Sequence, residues 1–224
     1  MSGFLRRADD VLRGRRRPDG STQPSDSPGV LLGMVLAFGL AYGAVMGTFG
    51  GVGGDRAWQV VYSALKVPLL LVATFLLSLP SFFVLNTLLG LRSDFPQVVR
   101  ALMATQAGLT ILLASLAPLT ASWYVSSGDY TAAILFNALM FAVASVSAQW
   151  SLRRDYRVLI ARSPRHRSLL WTWIVIYAFV GIQMGWTLRP FVGDPASRVQ
   201  FFREEGWSNA YVTVLKMIRK VSGL

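Results

Sequence analysis

The chain has 224 residues, of which 53% are hydrophobic, and carries 22 lysines and arginines against 11 aspartates and glutamates. Its apolar stretches run for about 18 to 25 residues almost without charge, the length a helix needs to cross the hydrocarbon of a bilayer. This excludes an ordinary soluble domain, in which polar residues would recur regularly along each helix or strand. The absence of cysteine excludes disulfides, thiolate catalysis and thiolate metal sites.

Residues 1–28 are predicted to form a basic cytoplasmic tail. The segment SGFLRRADDVLRG places Phe4, Ala8 and Val11 on one helical face and arginines on the other, which is typical of a helix on a lipid surface. A disordered tail whose charges only set the orientation is the alternative. The segment that follows, RGRRRPDGSTQPSDSPG, has the composition of a flexible linker.

Residues 29–189 are predicted to form an all-α transmembrane bundle of five spans. We expect these spans at residues 30–49, 67–91, 98–120, 130–150 and 169–188. Residues 57–65 are expected to form a separate interfacial helix before the second span, and Pro80 to kink that span. Residues 190–224 are expected to form an extracytoplasmic tail that contains an amphipathic helix.

The basic residues predict how the chain is threaded, because arginine and lysine favour the inner side of a membrane. With the N-terminus inside, most of the 22 basic residues lie on the inner side. The loop between the fourth and fifth spans is expected to bind anionic lipid headgroups through Arg153, Arg154, Arg157, Arg165 and Arg167. His166, the only histidine, is expected to be solvated among them. The cysteine-free, Ala-, Gly- and Arg-rich composition indicates a bacterial inner membrane.

The first span carries GLAYGAVMG, which places Gly39, Gly43 and Gly47 on one helical face. Small residues four positions apart let two helix backbones approach closely in lipid. The partner is expected to be another span of the same chain, and a second subunit is the alternative.

The second span carries Lys66, Pro68, Pro80 and Asn86. A charged residue at membrane depth is a candidate functional residue, but Lys66 lies near the predicted outer boundary, where snorkelling to the headgroups is the simpler interpretation. Asn86 is expected to cap a helix or to link two helices. Farther along the chain, Gln106, Asn137 and Ser147 are expected to face the bundle interior.

The last span ends in GWTLRPF, and the tail that follows is expected to cover the outer ends of the spans. Arg189 is expected to snorkel to headgroups, or to bind a carboxylate or the last carbonyls of its helix. Pro190 should stop the helix. The predicted outer docking surface comprises Arg189, Pro190, Phe191 and Trp207.

Over residues 30–189 the chain resembles the Yip-type family of five-span membrane proteins, in particular its bacterial relatives. The specific part of the resemblance is LKVPLLLVATFLLSLPSFFVLNTLLG in the second span. Eukaryotic members of that family are non-enzymatic partners of Rab GTPases and membrane-shaping proteins. This chain lacks their long acidic, aromatic N-terminal region, so the resemblance does not imply GTPase binding.

The sequence carries no motif for a metalloprotease, a serine hydrolase or a phosphate-binding loop. We therefore expect no enzymatic activity and no cofactor. No nucleic-acid partner is expected either, because orientation in the membrane accounts for the excess of arginine in the basic loop. The expected function is that of a structural or accessory subunit, which contacts membrane lipids and either other membrane subunits or a second copy of itself. The alternative is a small channel or transporter that uses the proline-broken second span.

Overall fold

The computed structural model describes residues 2–13 and 27–202, and within them 83% of the residues are helical and none is in a strand. The helices are α1 (Ser2–Arg13), α2 (Pro28–Gly47), α3 (Arg56–Leu88), α4 (Phe95–Ser126), α5 (Tyr130–Arg162) and α6 (Arg165–Thr187). A short 3-10 turn, Arg92–Asp94, precedes α4. The predicted all-α fold class is therefore confirmed.

Helices α2 to α6 are each long and apolar enough to cross a membrane. By length and composition, the chain is a multi-pass membrane protein, as the sequence predicts. Short connections join α2 to α3 and α4 to α5 at one end of the bundle, and α3 to α4 and α5 to α6 at the other. We call the first end the strap end and the second end the basic end.

Local sequence explains where several helices begin and end. Helix α2 begins with Pro28, whose missing N–H is not needed in the first helical turn. Helix α5 begins at the Asp129 side chain, which accepts hydrogen bonds from the backbone N–H groups of Thr131 and Ala132. Helix α3 ends before Gly90, whose φ of 74° closes the last turn in a left-handed conformation.

The helices pack in the order α5, α4, α2, α3, α6, with α2 at the centre between α3 and α4. The ends of this row approach each other, because α5 and α6 also make a smaller contact. One apolar core joins α2 to α3, α4 and α5, and includes Tyr42 and Leu113. A second core at the basic end joins α3 to α6 around Phe82, Tyr156 and Trp173.

Two predicted boundaries are wrong. Residues 57–65 do not form a separate helix, since α3 continues without a break from Arg56 to Leu88 through both prolines. Membrane helices tolerate internal proline because neighbouring groups and small adjustments satisfy the freed backbone. The predicted basic loop is also largely helical: α5 extends to Arg162, and Leu152, Tyr156 and Leu159 recur at helical spacing on a buried face.

The predicted N-terminal helix is present as α1, but it packs against protein. Ala8 is buried in the core that surrounds α2, and the Phe4 ring stacks on Phe38 with centroids 5.5 Å apart. Arg154 on α5 donates a 3.5 Å hydrogen bond to the Leu12 carbonyl. These contacts place α1 against the bundle, with its C-terminal end towards the basic end. The predicted linker, residues 14–26, lies outside the described residues.

Candidate functional site at the strap end

The glycine face of α2 packs against α3 of the same chain. A Cβ atom added at Gly43 would lie 2.4 Å from the Ser63 carbonyl oxygen, and one added at Gly47 would lie 2.5 Å from the Val60 Cα. At Gly39 the neighbour is Pro68, at 3.3 Å. The first expected partner, another span of the chain, is therefore the one observed. This face is not available for a second subunit.

Residues 188–202 follow α6 and lie across the strap end of the bundle; we call this segment the strap. Three buried polar side chains of α3, Gln59, Ser63 and Lys66, share one face of that helix and point at the strap. Ser63 Oγ and Gln59 Nε2 both donate hydrogen bonds to the Phe191 carbonyl. Gln59 also donates to Ser63 Oγ at 2.9 Å, so the two side chains act together.

Lys66 is the third side chain that holds the strap. Its Nζ donates a 2.6 Å hydrogen bond to the Pro190 carbonyl and lies 4.9 Å from the centre of the Phe201 ring. The residue is 0% exposed, so the snorkelling interpretation is wrong. Burying an ammonium group is costly unless it is hydrogen-bonded, and the strap supplies both a carbonyl and an aromatic face.

Arg56 fixes the middle of the strap from the first turn of α3. Its guanidinium donates to the Phe49 carbonyl at 2.7 Å and to the Gly193 carbonyl at 3.3 Å. Gly193 is buried against Gln59, and an added Cβ would lie 2.6 Å from Gln59 Cγ. A larger residue at position 193 would therefore have to displace the buried Gln59 side chain, which itself binds the strap.

The predicted docking residues divide into three groups. Arg189 donates from Nε to the Trp186 carbonyl at 3.0 Å, and its guanidinium lies 3.3 Å from the centre of the Trp186 ring. Bonding to the last carbonyls of the helix, one of the expected alternatives, is thus observed. Pro190 and Phe191 are half-buried and supply the carbonyls that α3 binds. Trp207 lies outside the described residues.

The strap forms one wall of a cavity of about 660 Å³ at this end of the bundle. Its other walls come from α5 and α6, with single contributions from α2 and α3. Most of the lining side chains are apolar, and Arg189 is the charged member.

The remaining residues of the second span do not form a break. Pro68 and Pro80 lie inside one continuous helix, and Pro68 is buried against the glycine face of α2. Asn86 is fully buried near the basic end, and neither side-chain polar atom has a hydrogen-bond partner among the described residues. It therefore neither caps a helix nor links two helices in the part of the chain that the structure describes.

Polar groups inside the bundle bind each other. Tyr42 on α2 donates to Asn137 Oδ1 on α5 at 3.1 Å, and Asn137 Nδ2 donates to the Tyr124 hydroxyl on α4 at 2.6 Å. Tyr177 on α6 donates to Gln106 Oε1 on α4 at 2.8 Å. Gln106 and Asn137 thus face inward as predicted. Ser147 is exposed, so its predicted inward position is wrong, and its hydroxyl bonds within α5.

The basic end carries the predicted cationic surface. All five arginines expected to face lipid headgroups are exposed, and they lie on the end of α5 and the start of α6: Arg153, Arg154, Arg157, Arg165 and Arg167. His166 differs from its neighbours because it is fully buried, with Nε2 3.0 Å from Asp94 Oδ2. The predicted solvated histidine is therefore wrong, since helix α6 turns this side chain inward.

Sequence reasoning missed the other side chains that hold the strap. Gln59, Ser63 and Lys66 recur at helical spacing, and this pattern predicts a polar stripe on one face of α3. The stripe is visible only if residues 57–65 belong to the same helix as the second span. Arg56 had no comparable signal, because a basic residue at the start of a membrane helix is ordinary.

Among the described residues, no group of three or more histidine, aspartate or glutamate side chains lies in a position to hold a metal ion. Comparisons of the chain with protein-family models, with curated proteins and with solved structures each find no match. The resemblance to the Yip-type family therefore stays a prediction made from the residues of the second span.

Proposed function

We propose that the protein is a non-enzymatic accessory or structural subunit of a membrane complex, and that the strap is its docking surface. The observation that supports this most strongly is the way the strap is held. Buried side chains of α3 donate hydrogen bonds to the consecutive carbonyls of Pro190 and Phe191, and Arg56 continues the series at Gly193.

A segment held in this way is ordered before any partner arrives. Residues 195–198 of the strap, Pro-Ala-Ser-Arg, are exposed, while Val192 and Gly193 behind them are buried. Ordering a loop on binding costs free energy, so a surface that is already fixed binds more tightly for the same contacts. The partner contact is therefore assigned to the strap instead of the glycine face, which α3 occupies.

The channel or transporter alternative depended on a proline break in the second span, and α3 has no such break. The polar side chains of the interior are bonded across α2, α4, α5 and α6, as expected for groups that join helices. These two observations favour the accessory role over solute transport.

We further propose that the basic end faces the cytoplasm of a bacterial cell and binds anionic headgroups. The exposed arginines at the end of α5 and the start of α6 support this, because each basic residue near an anionic surface contributes about 1 kcal/mol. The absence of cysteine makes the test direct. An impermeant thiol reagent should label Ser197→Cys in intact cells and should label Ser163→Cys only after permeabilisation. The reverse result would refute this orientation.

The docking role is tested with a photo-crosslinking amino acid at Ala196 on the strap and, as the matched control, at the exposed Ser93 near the basic end. The full chain is purified from its native membrane in mild detergent. A second membrane subunit, or a second copy of the chain, should copurify in fixed ratio and crosslink from position 196 only. The accessory role would be contradicted if the chain purified without any partner and the pure protein conducted solutes in liposomes.

A further inference from the structure

The cavity beneath the strap lies between the outer faces of two helices that contact each other only sparsely. Ile134 and Phe141 of α5 form one wall, and Ile182 and Gly185 of α6 form the other. The four buried residues of α6 all lie near the basic end, between His166 and Trp173. Towards the strap end, therefore, α6 leaves space that no side chain of the described residues fills.

The surroundings of Gly185 show that the α6 wall of the cavity has room for a ligand. A Cβ atom added at this position meets no heavy atom within 4 Å, although the residue lines the cavity. The total volume, about 660 Å³, lies within the range of about 300–1,000 Å³ that is typical of small-ligand sites. The apolar walls favour a hydrocarbon ligand over a polar solute.

The depth of the cavity matches one leaflet of a bilayer. Its lining on α5 runs from Tyr130, the first residue of the helix, to Phe141. At 1.5 Å per residue this is roughly 16 Å, about half of a hydrocarbon core of roughly 30 Å. A lipid chain that enters from the strap side would therefore end near Phe141.

Arg189 gives the site a polar boundary. It lines the cavity where the strap closes it, and its guanidinium is held over the Trp186 ring. Arg189 directly follows the predicted fifth span, residues 169–188, and the polar headgroups of a bilayer lie at the ends of such a span. A cation at this level favours an anionic headgroup over a neutral one.

We propose that this cavity is a lipid-binding site that holds an acyl chain of one phospholipid from the leaflet at the strap end, with the phosphate beside Arg189. The site does not depend on the docking role of the strap. It is distinct from the headgroup contacts at the basic end, since it takes the chain of the lipid and not only its charge.

The experiment uses the full chain, extracted in mild detergent and examined by native mass spectrometry with fragmentation of any retained lipid. The wild type should retain a single phospholipid. Gly185→Leu and Ala138→Phe fill the cavity from opposite walls, and both should lose it. Gly33→Leu, at a glycine of α2 that also has nothing within 4 Å, is the matched control and should keep the lipid.

A second arm maps the bound chain with a phospholipid that carries a photoreactive group at the end of its acyl chain, in nanodiscs. Crosslinks should fall near Phe141 in the wild type and disappear in the filled variants, while Arg189→Gln should lower the preference for phospholipid over diacylglycerol. The thermal midpoint of each variant shows whether it folds. An empty wild type, equal retention by folded cavity-filled variants, or crosslinks that place another part of the chain or a second copy in the cavity would overturn the proposal.

Discussion

The close approach of α2 and α3 makes a quantitative prediction for Gly43→Ala. The added Cβ would lie 2.4 Å from the Ser63 carbonyl oxygen and 2.8 Å from the Ala64 Cα, whereas ordinary contacts begin near 3.4 Å. Because both neighbours are backbone atoms, no side-chain rotation relieves the overlap, and the two helices must move apart by roughly 1 Å. A gap of that size removes about a quarter to a half of the dispersion energy of each affected atom pair.

Overpacking of this kind typically costs about 1–3 kcal/mol. Gly33→Ala on the same helix is the matched control, since its Cβ meets no atom within 4 Å. That change should stabilise the helix by about 0.5–1 kcal/mol, because alanine loses less backbone freedom than glycine on folding. The same backbone gain applies at position 43 and cancels in the comparison, so the two variants should differ by the overpacking cost of about 1–3 kcal/mol in free energy of unfolding.

The measurement is reversible unfolding in mixed detergent micelles, followed by tryptophan fluorescence, together with the oligomeric state of each variant. Gly43→Ala should unfold more easily than both the wild type and Gly33→Ala without a change in oligomeric state. If Gly43→Ala were as stable as the control and instead dissociated a dimer, the glycine face would join two chains. The packing of α2 against α3 would then be refuted.

Three further changes test other contacts by the same unfolding measurement. Lys66→Ala should lower the free energy of unfolding by about 1.5–3 kcal/mol, because the hydrogen bond from a buried charge to the strap is lost. The strap should then become accessible to protease. Unchanged protease resistance would show that Lys66 does not hold the strap. Tyr42→Phe removes the 3.1 Å bond to Asn137 and the longer 3.5 Å contact with Thr120, and it should cost about 0.6 kcal/mol, the average for a hydrogen bond between membrane helices; a loss several times larger would mean that the polar network is cooperative. Asp94→Ala, which removes the hydrogen-bond partner of the buried His166 Nε2, should destabilise the basic end by about 1–3 kcal/mol, and a neutral effect would contradict the observed pairing.

The all-α class, the five apolar spans and the approximate limits of the first, third and fifth spans could be predicted from the residues alone. This follows because a lipid environment leaves the backbone few choices: a crossing segment must satisfy its own hydrogen bonds and must be long enough to span the hydrocarbon. The glycine spacing on α2 likewise predicted a close helix contact, because removal of Cβ at Gly39, Gly43 and Gly47 has the same local effect whatever helix approaches.

The contacts of individual side chains, in contrast, could be identified only from the packed bundle. Lys66 binds a carbonyl 124 positions away, and Ser63 binds one 128 positions away, so no local pattern identifies either contact. The same holds for His166, which helix α6 turns towards Asp94 and away from its arginine neighbours. Hydrophobic length specifies that a segment is a span, but the order in which spans pack depends on complementary shapes and hydrogen bonds that form only when the whole bundle assembles.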